Sequence, residues 1–379
     1  MKKILLIGVA VVSLMVGSVD TVMADFQAGM KAAQEGDFAT ALIEWKPLAE
    51  QGDVSAQYNL AMMYGSGQGV SRDLSEAARW LLKAAERGYG KAQYKLAIMI
   101  INGKGVAQSD VAAVKWFLKA AEQGLPQAQA SLAALYQLGR GIEANQGESV
   151  NWYRKAAVQG HPSAQYNLGV FYRDGLGVDQ NLGEAVKLFQ KAAEQGDAKA
   201  QYNLGLMYEK GQGIVQSFQD AFGWYSKAAI QGEVFAQVNL GLMFSSGRGT
   251  GIDYAEAIEW YRKAAKQGDS AGQRNLGLAY ARGRGVGLNN SEAYIWIKRS
   301  AVQGNSDAQI SLAHMYNEGL GVPRDIVIAL KWLMVASLEG SDEAEAHVAN
   351  LQKKTTSAQF IKAGELAREW IAKHQQTPK

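Results

Sequence analysis

Between residues 53 and 88, apolar or small side chains fall at Ala56, Leu60, Met63 and Tyr64, a spacing of i, i+4, i+7 and i+8. That spacing lays one stripe along an α-helix. Gly65, Gly67 and Gly69 then interrupt the pattern and predict its end. A second stripe follows through Ala77, Trp80, Leu81 and Ala84 and stops at Gly88. The segment therefore reads as two helices of roughly 12 residues joined by short turns.

The same pattern returns every 36 residues. Gly52, Gly88, Gly124, Gly160, Gly196, Gly232, Gly268, Gly304 and Gly340 keep that interval without a slip. Gly-x-Gly pairs begin at Gly67, Gly103, Gly139, Gly175, Gly211, Gly247, Gly283 and Gly319. Tryptophan recurs at Trp80, Trp116, Trp152, Trp224, Trp260, Trp296 and Trp332, with Leu188 in the vacant slot. Eight helix pairs are thus predicted over residues 53–340. Each second helix begins after a residue that caps helices well: Asp73, Ser109, Asn145, Asn181, Ser217, Asp253, Asn289 and Asp325. Three positions later stand Glu76, Glu148, Glu184, Asp220, Glu256 and Glu292, which with the caps predict capping boxes; Ala112 and Ile328 depart from the pattern.

A lone hairpin cannot bury its stripe, so neighbours must stack into one elongated core. The fold class expected is all-α: an α/α superhelical solenoid of about eight 36-residue helix-pair repeats, with capping helix pairs over 25–52 and 341–379. Pro47 is expected to kink the second helix of the N-terminal pair. A long helix over 357–373 offers Leu366 and Trp370 to the last core face, and a disordered tail is expected from Gln375. The repeated Trp reads as the large core residue, and Lys83, Lys119, Lys155, Lys191, Lys227 and Lys263 as a solvated convex row.

The phrase Ala-x-Ala-Gln-Tyr-Asn-Leu-Gly-x-Met-Tyr, then Gly-x-Gly-Val, then Glu-Ala-x-x-Trp-Tyr-x-Lys-Ala-Ala-x-Gln-Gly resembles the Sel1-like repeat, a relative of the tetratricopeptide repeat. The resemblance covers essentially everything after residue 24 and implies an α-solenoid adaptor, many of whose relatives are exported bacterial proteins. By analogy with tetratricopeptide solenoids, the first helices line a concave groove. With Leu60 at the centre of the buried stripe and about 100° per residue, Tyr58 and Met62 point away from it and Asn59 sits on the flank. Successive repeats then present Tyr58, Tyr94, Ala130, Tyr166, Tyr202, Val238, Arg274 and Ile310 on one track. A second track carries Met62, Ile98, Ala134, Val170, Leu206, Leu242, Leu278 and His314. A third row of Asn59, Asn167, Asn203, Asn239 and Asn275 could grip an extended peptide backbone, or could serve hydrogen bonds within the repeat.

Composition adds exclusions. Net charge is +3 over 379 residues, which disfavours a nucleic-acid surface, and no cysteine is present, so disulfides and thiolate chemistry are absent. His161, His314, His347 and His374 lack metal-ligand spacing, and no nucleophile motif is found. No cofactor is implied and a non-enzymatic protein is expected. The alternative, a β-lactamase-like or cell-wall-ligand-binding envelope protein, rests on a cysteine-rich branch of the family whose cysteines are missing here. Lys2 and Lys3, the apolar run Ile4 to Val19, and Val22-Met23-Ala24 read as a signal peptide over 1–24, cut before Asp25. Its removal would leave no membrane span. A periplasmic or secreted location follows, with a protein or peptide as partner.

Overall fold

The computed structural model describes residues 24–375. The signal-peptide segment, but for Ala24, and the last four residues of the tail lie outside them. Twenty α-helices and no strand occur among the described residues. Two precede the repeats, α1 (Phe26–Gln34) and α2 (Phe38–Gln51). The repeats then supply α3 (Val54–Ser66), α4 (Leu74–Glu86), α5 (Gly90–Ile101), α6 (Asp110–Glu122), α7 (Pro126–Leu138), α8 (Gln146–Val158), α9 (Pro162–Asp174) and α10 (Leu182–Glu194). They continue with α11 (Ala198–Lys210), α12 (Phe218–Ile230), α13 (Val234–Ser246), α14 (Tyr254–Lys266), α15 (Ser270–Arg282), α16 (Asn290–Val302), α17 (Ser306–Glu318) and α18 (Ile326–Leu338). Two more follow, α19 (Asp342–Gln352) and α20 (Ser357–Gln375). Packing divides the chain into two blocks, one running to residue 135 and including 139–143, the other made of 136–138 and everything from 144.

In the first block α3 packs on α4 and α5 on α6, and each pair leans on the helix before it, α3 on α2 and α5 on α4. In the second block α9/α10, α11/α12, α13/α14, α15/α16 and α17/α18 pair in the same way, and α18 is covered by α19 and α20. A first helix therefore has two buried sides, one against its own partner and one against the preceding second helix. In α3 this buries Ala56, Gln57, Leu60, Ala61 and Met63.

All eight expected caps form, each side chain accepting from backbone N–H groups of the first turn. The capping box does not close. The cap's own N–H is taken by a carbonyl of the first helix, as in Asp73 N donating to Tyr64 O at 2.9 Å and Ser217 N to Tyr208 O at 3.0 Å. The third-position acid is thus free, and Glu76 pairs with Arg79 at 2.7 Å instead. Gly65 is helical, and α3 ends at Gly67. Pro47 does not break α2, which runs through it; the carbonyl it cannot pair belongs to exposed Ile43, where water is at hand.

The second glycine of the Gly-x-Gly turn has a packing reason beyond its conformation. Gly321 has φ +69°, and a Cβ there would lie 2.0 Å from the carbonyl oxygen of Asn290, the first residue of the preceding repeat's second helix. Gly105 approaches Leu74 O in the same way, at 2.2 Å. The turn is a close inter-repeat contact.

Two expectations about the core change. Trp80, Trp152 and Trp332 are buried, but Trp116, Trp224, Trp260 and Trp296 are only half-buried. The deepest large side chain is the next residue along: Phe117, Phe189 and Tyr225 are at most 1% exposed. In α20 the fully buried positions are Ala363 and Ala367, while Leu366 is half-buried and Trp370 meets Trp332 edge-on at 5.4 Å.

Candidate functional site

The described first-block members of the candidate surface are Tyr58, Asn59 and Met62 on α3 and Tyr94 on α5, all half-buried. Tyr58 meets Tyr89 edge-on at 5.5 Å, and Tyr94 lies against Phe117 of α6 at 5.8 Å. Asn59 Nδ2 faces Met30 Sδ at 3.5 Å. Burial raises the Tyr58 phenol above its ordinary pKa.

In the second block Tyr166 packs on Phe189 at 5.9 Å, and Tyr202 packs on both Tyr225 and Phe235 at 5.9 Å. These tyrosines do not stand in open solvent as a single-stripe helical wheel predicts. Each is backed by an aromatic residue because the first helix is covered on two sides. Burial raises both phenols. The rings are held in place with one part left accessible.

The asparagines do not form a uniform row. Asn203 is buried, its Oδ1 accepting from Arg173 Nη1 at 2.6 Å and its Nδ2 donating to Lys199 O at 2.9 Å. Its amide is committed to the fold and cannot grip a peptide, so the reading as a hydrogen bond within the fold applies there. Asn167, Asn239 and Asn275 are half-buried. Asn275 Oδ1 accepts from Arg274 Nη1 at 3.4 Å, and Arg274 pairs with Asp307 at 3.2 Å.

Two cavities open on this face of the second block. One of about 240 Å³ is lined by Leu242, Arg274, Asn275 and Leu278 among others. The other, about 530 Å³, is lined by Leu278, Ile310, Ser311 and His314, and closed by residues of α19. At this end of the chain one or more members of each predicted row line these two cavities: Arg274 and Ile310 of the first, Leu242, Leu278 and His314 of the second, and Asn275 of the third. Tyr58, Tyr94, Tyr166 and Tyr202 line neither. The α19 contribution, His347, Asn350 and Leu351 with Lys354 beyond it, was not foreseen, because it lies outside the period.

The lysine row is not simply solvated. Lys83, Lys155, Lys227 and Lys263 place Nζ 3.6–3.9 Å from the ring centroids of Trp80, Trp152, Trp224 and Trp260. Lysine and tryptophan three residues apart on one helix face form a cation–π pair, which explains their joint recurrence.

The most regular polar feature is the glutamine of the repeated phrase. Gln57, Gln93, Gln129, Gln165, Gln201, Gln237, Gln273 and Gln309 are all buried. Each donates through Nε2 to an alanine carbonyl of the preceding second helix, from Ala49 to Ala301. In turn Gln195, Gln231, Gln267 and Gln303 donate to Gln165, Gln201, Gln237 and Gln273 at 2.7–2.9 Å. Strict recurrence at a buried helix position was the available signal. Among the described residues no group of three or more His, Asp or Glu side chains could hold a metal, and no helix is long and apolar enough to cross a membrane.

Tandem helix hairpins fastened this way define an α-solenoid. The Sel1 repeat matches eight contiguous segments, from 54–89 through 306–341. The chain therefore belongs to the Sel1 repeat family, whose solenoids typically scaffold protein–protein interactions. The structure is similar to that of a protective antigen of uropathogenic Escherichia coli displaying an SLR fold: 31% identity, 93% of this chain and 86% of that one, TM-score 0.64. It is also similar to a Sel1 repeat protein from Oxalobacter formigenes: 33% identity, 82% of this chain and 90% of that one, TM-score 0.61. No curated protein matches the chain.

Proposed function

We propose that this protein is a non-catalytic, exported scaffold that binds a protein or peptide partner along the first-helix face. The observation that carries the reading is that members of all three predicted rows, Arg274, Leu278, His314 and Asn275 among them, line the two cavities of the second block. The tyrosines add pre-positioned aromatic area: a ring already backed by Phe189 or Tyr225 loses little freedom on binding. On the second helices Lys155 is engaged over Trp152 and offers less to a partner. Export rests on the pattern of residues 1–24. The boundaries proposed are 1–24 for the signal peptide, 25–52 and 341–379 for the end pairs, and 53–340 for the repeats.

The test is an affinity pull-down with the protein from residue 25 onward, followed by titration of the partner recovered. Tyr166→Ala with Tyr202→Ala should weaken binding by about 2 kcal/mol or more. Lys155→Ala with Lys191→Ala should change it by less than about 1 kcal/mol. Circular dichroism first checks that each variant is folded. A folded tyrosine variant that binds normally, beside a lysine variant that does not, moves the site to the other face.

A further inference from the structure

The larger cavity has a chemistry of its own. Its walls are apolar, with Leu278, Ile310, Leu333 and Leu351, and at about 530 Å³ it can take a large side chain. Its polar lining includes Arg282, His314, His347 and Lys354, and among the described residues no carboxylate lines it. Leu278 and Arg282 also line the smaller cavity, which adds Arg274 and Arg284 and again no carboxylate. Arg274 is partly neutralised by Asp307 at 3.2 Å, and Glu343 lies 3.8 Å from His347. Arg282 and Lys354 are exposed, and neither has an ion-pair partner among the described residues. In a chain whose charges nearly balance, a run of cations around an apolar hollow is a local departure.

We infer that this end of the groove selects an acidic peptide segment that carries one large apolar side chain. The side chain seats between Leu278 and Leu351, and carboxylates on either side of it meet Arg282 and Lys354. Charge complementarity chooses the occupant: an acidic segment relieves the unpaired cations, and a basic one meets them as like charges. The apolar walls require the anchor, because a purely charged polymer would leave that surface wet. The inference rests on the groove reading above and names its partner class.

The experiment is fluorescence anisotropy with the protein from residue 25 onward and three labelled peptides. The first is Gly-Asp-Glu-Phe-Glu-Asp-Gly, the second has Ala for Phe, and the third has Lys for every acid. The first should bind, and replacing Phe or inverting the charges should each weaken binding by about tenfold or more. Arg282→Glu with Lys354→Glu, both exposed and therefore tolerated by the fold, should weaken the first peptide by a similar factor and strengthen the third. The inference fails if the folded charge-reversed protein binds the acidic peptide as tightly as the original. It also fails if all three peptides bind alike, or if an oligothymidylate displaces the first peptide as well as unlabelled peptide does, which would mark a general polyanion site. Loss of this binding with the pulled-down partner still sensitive to the Tyr166 and Tyr202 changes would sink the acidic-peptide assignment alone. Insensitivity of that partner to the tyrosines tests the groove reading separately.

Discussion

Replacement of Gln201 tests how the repeats are held together. Its side chain is 5% exposed; Nε2 donates to Ala193 O at 3.0 Å, and Oε1 accepts from Gln231 Nε2 at 2.8 Å. Gln201→Ala removes both bonds and leaves a void. The Ala193 carbonyl keeps a bond from Gly196 N at 3.0 Å, and Gln231 is exposed enough to turn to water, so neither partner is stranded. The expected loss is about 2–3 kcal/mol, roughly 1 from the bond to the carbonyl and the rest from the other bond and the void. Gln201→Met refills the volume without the donor and should cost about 1 kcal/mol. Gln201→Glu sets a carboxylate oxygen against the Ala193 carbonyl and should cost more than either near neutral pH. Burial raises the pKa of that new carboxyl above its unfolded value. Its favourable protonated form is fully present below about pH 4 and is lost as pH rises through the folded pKa, so the glutamate variant should recover in acid. Urea titration gives the global order. Hydrogen exchange over α10–α12 shows whether the damage is local, since contacts in a solenoid are near-neighbour. A glutamate variant as stable as the methionine one near neutral pH would refute the reasoning.

Tyr225→Ala should cost about 3–5 kcal/mol, because that ring is fully buried, whereas Trp224→Ala should cost clearly less, about 1–3 kcal/mol, since the indole is half-buried beneath Lys227; thermal melts of the pair decide, and a larger loss at Trp224 would return tryptophan to the centre of the core. Gly321→Ala should destabilise by more than about 2 kcal/mol, combining a left-handed backbone with a Cβ 2.0 Å from Asn290 O; a normal denaturation midpoint would mean that the turn gives way freely. At high pH, burial pushes the Tyr153 phenol up to about 12, so the neutral form is favoured in the fold. That contribution is intact below about pH 10 and is lost as pH rises towards about 12; Tyr153→Phe should flatten this part of the alkaline unfolding curve, followed by circular dichroism alongside tyrosinate absorbance.

Much of the fold could be read from punctuation. Asp73 and its seven equivalents cap helices through contacts within one turn, so local sequence determines them. What a one-dimensional reading missed depends on a second neighbour. A wheel with one buried stripe placed Tyr166 in solvent, but α9 is covered on two sides and Phe189 backs the ring. The capping box failed for the same reason, since a carbonyl nine residues back competes successfully for the cap's N–H. Trp224 looked like the core because tryptophan is large, yet Lys227 three residues on needs that ring near the surface. At the candidate site the row positions Arg274, Leu278 and His314 were legible from the period, whereas His347 enters from α19 and Lys354 from the turn after it, neither of which repeats.

The buried glutamines bond to main-chain carbonyls, and the second turn glycine rests on main-chain atoms as well. A joint that grips backbone is indifferent to which side chains its neighbour carries. The backbone part of the seam is therefore the same whichever copy follows, and a repeat gained or lost by unequal recombination would keep that part intact. First-helix positions such as Tyr202, Val238 and Arg274 lie outside those glutamine and glycine contacts and differ from copy to copy, with Tyr202 and Arg274 adding side-chain contacts to the next repeat at Phe235 and Asp307. Separating a constant seam from a variable face lets one array be lengthened, shortened or retargeted in small heritable steps.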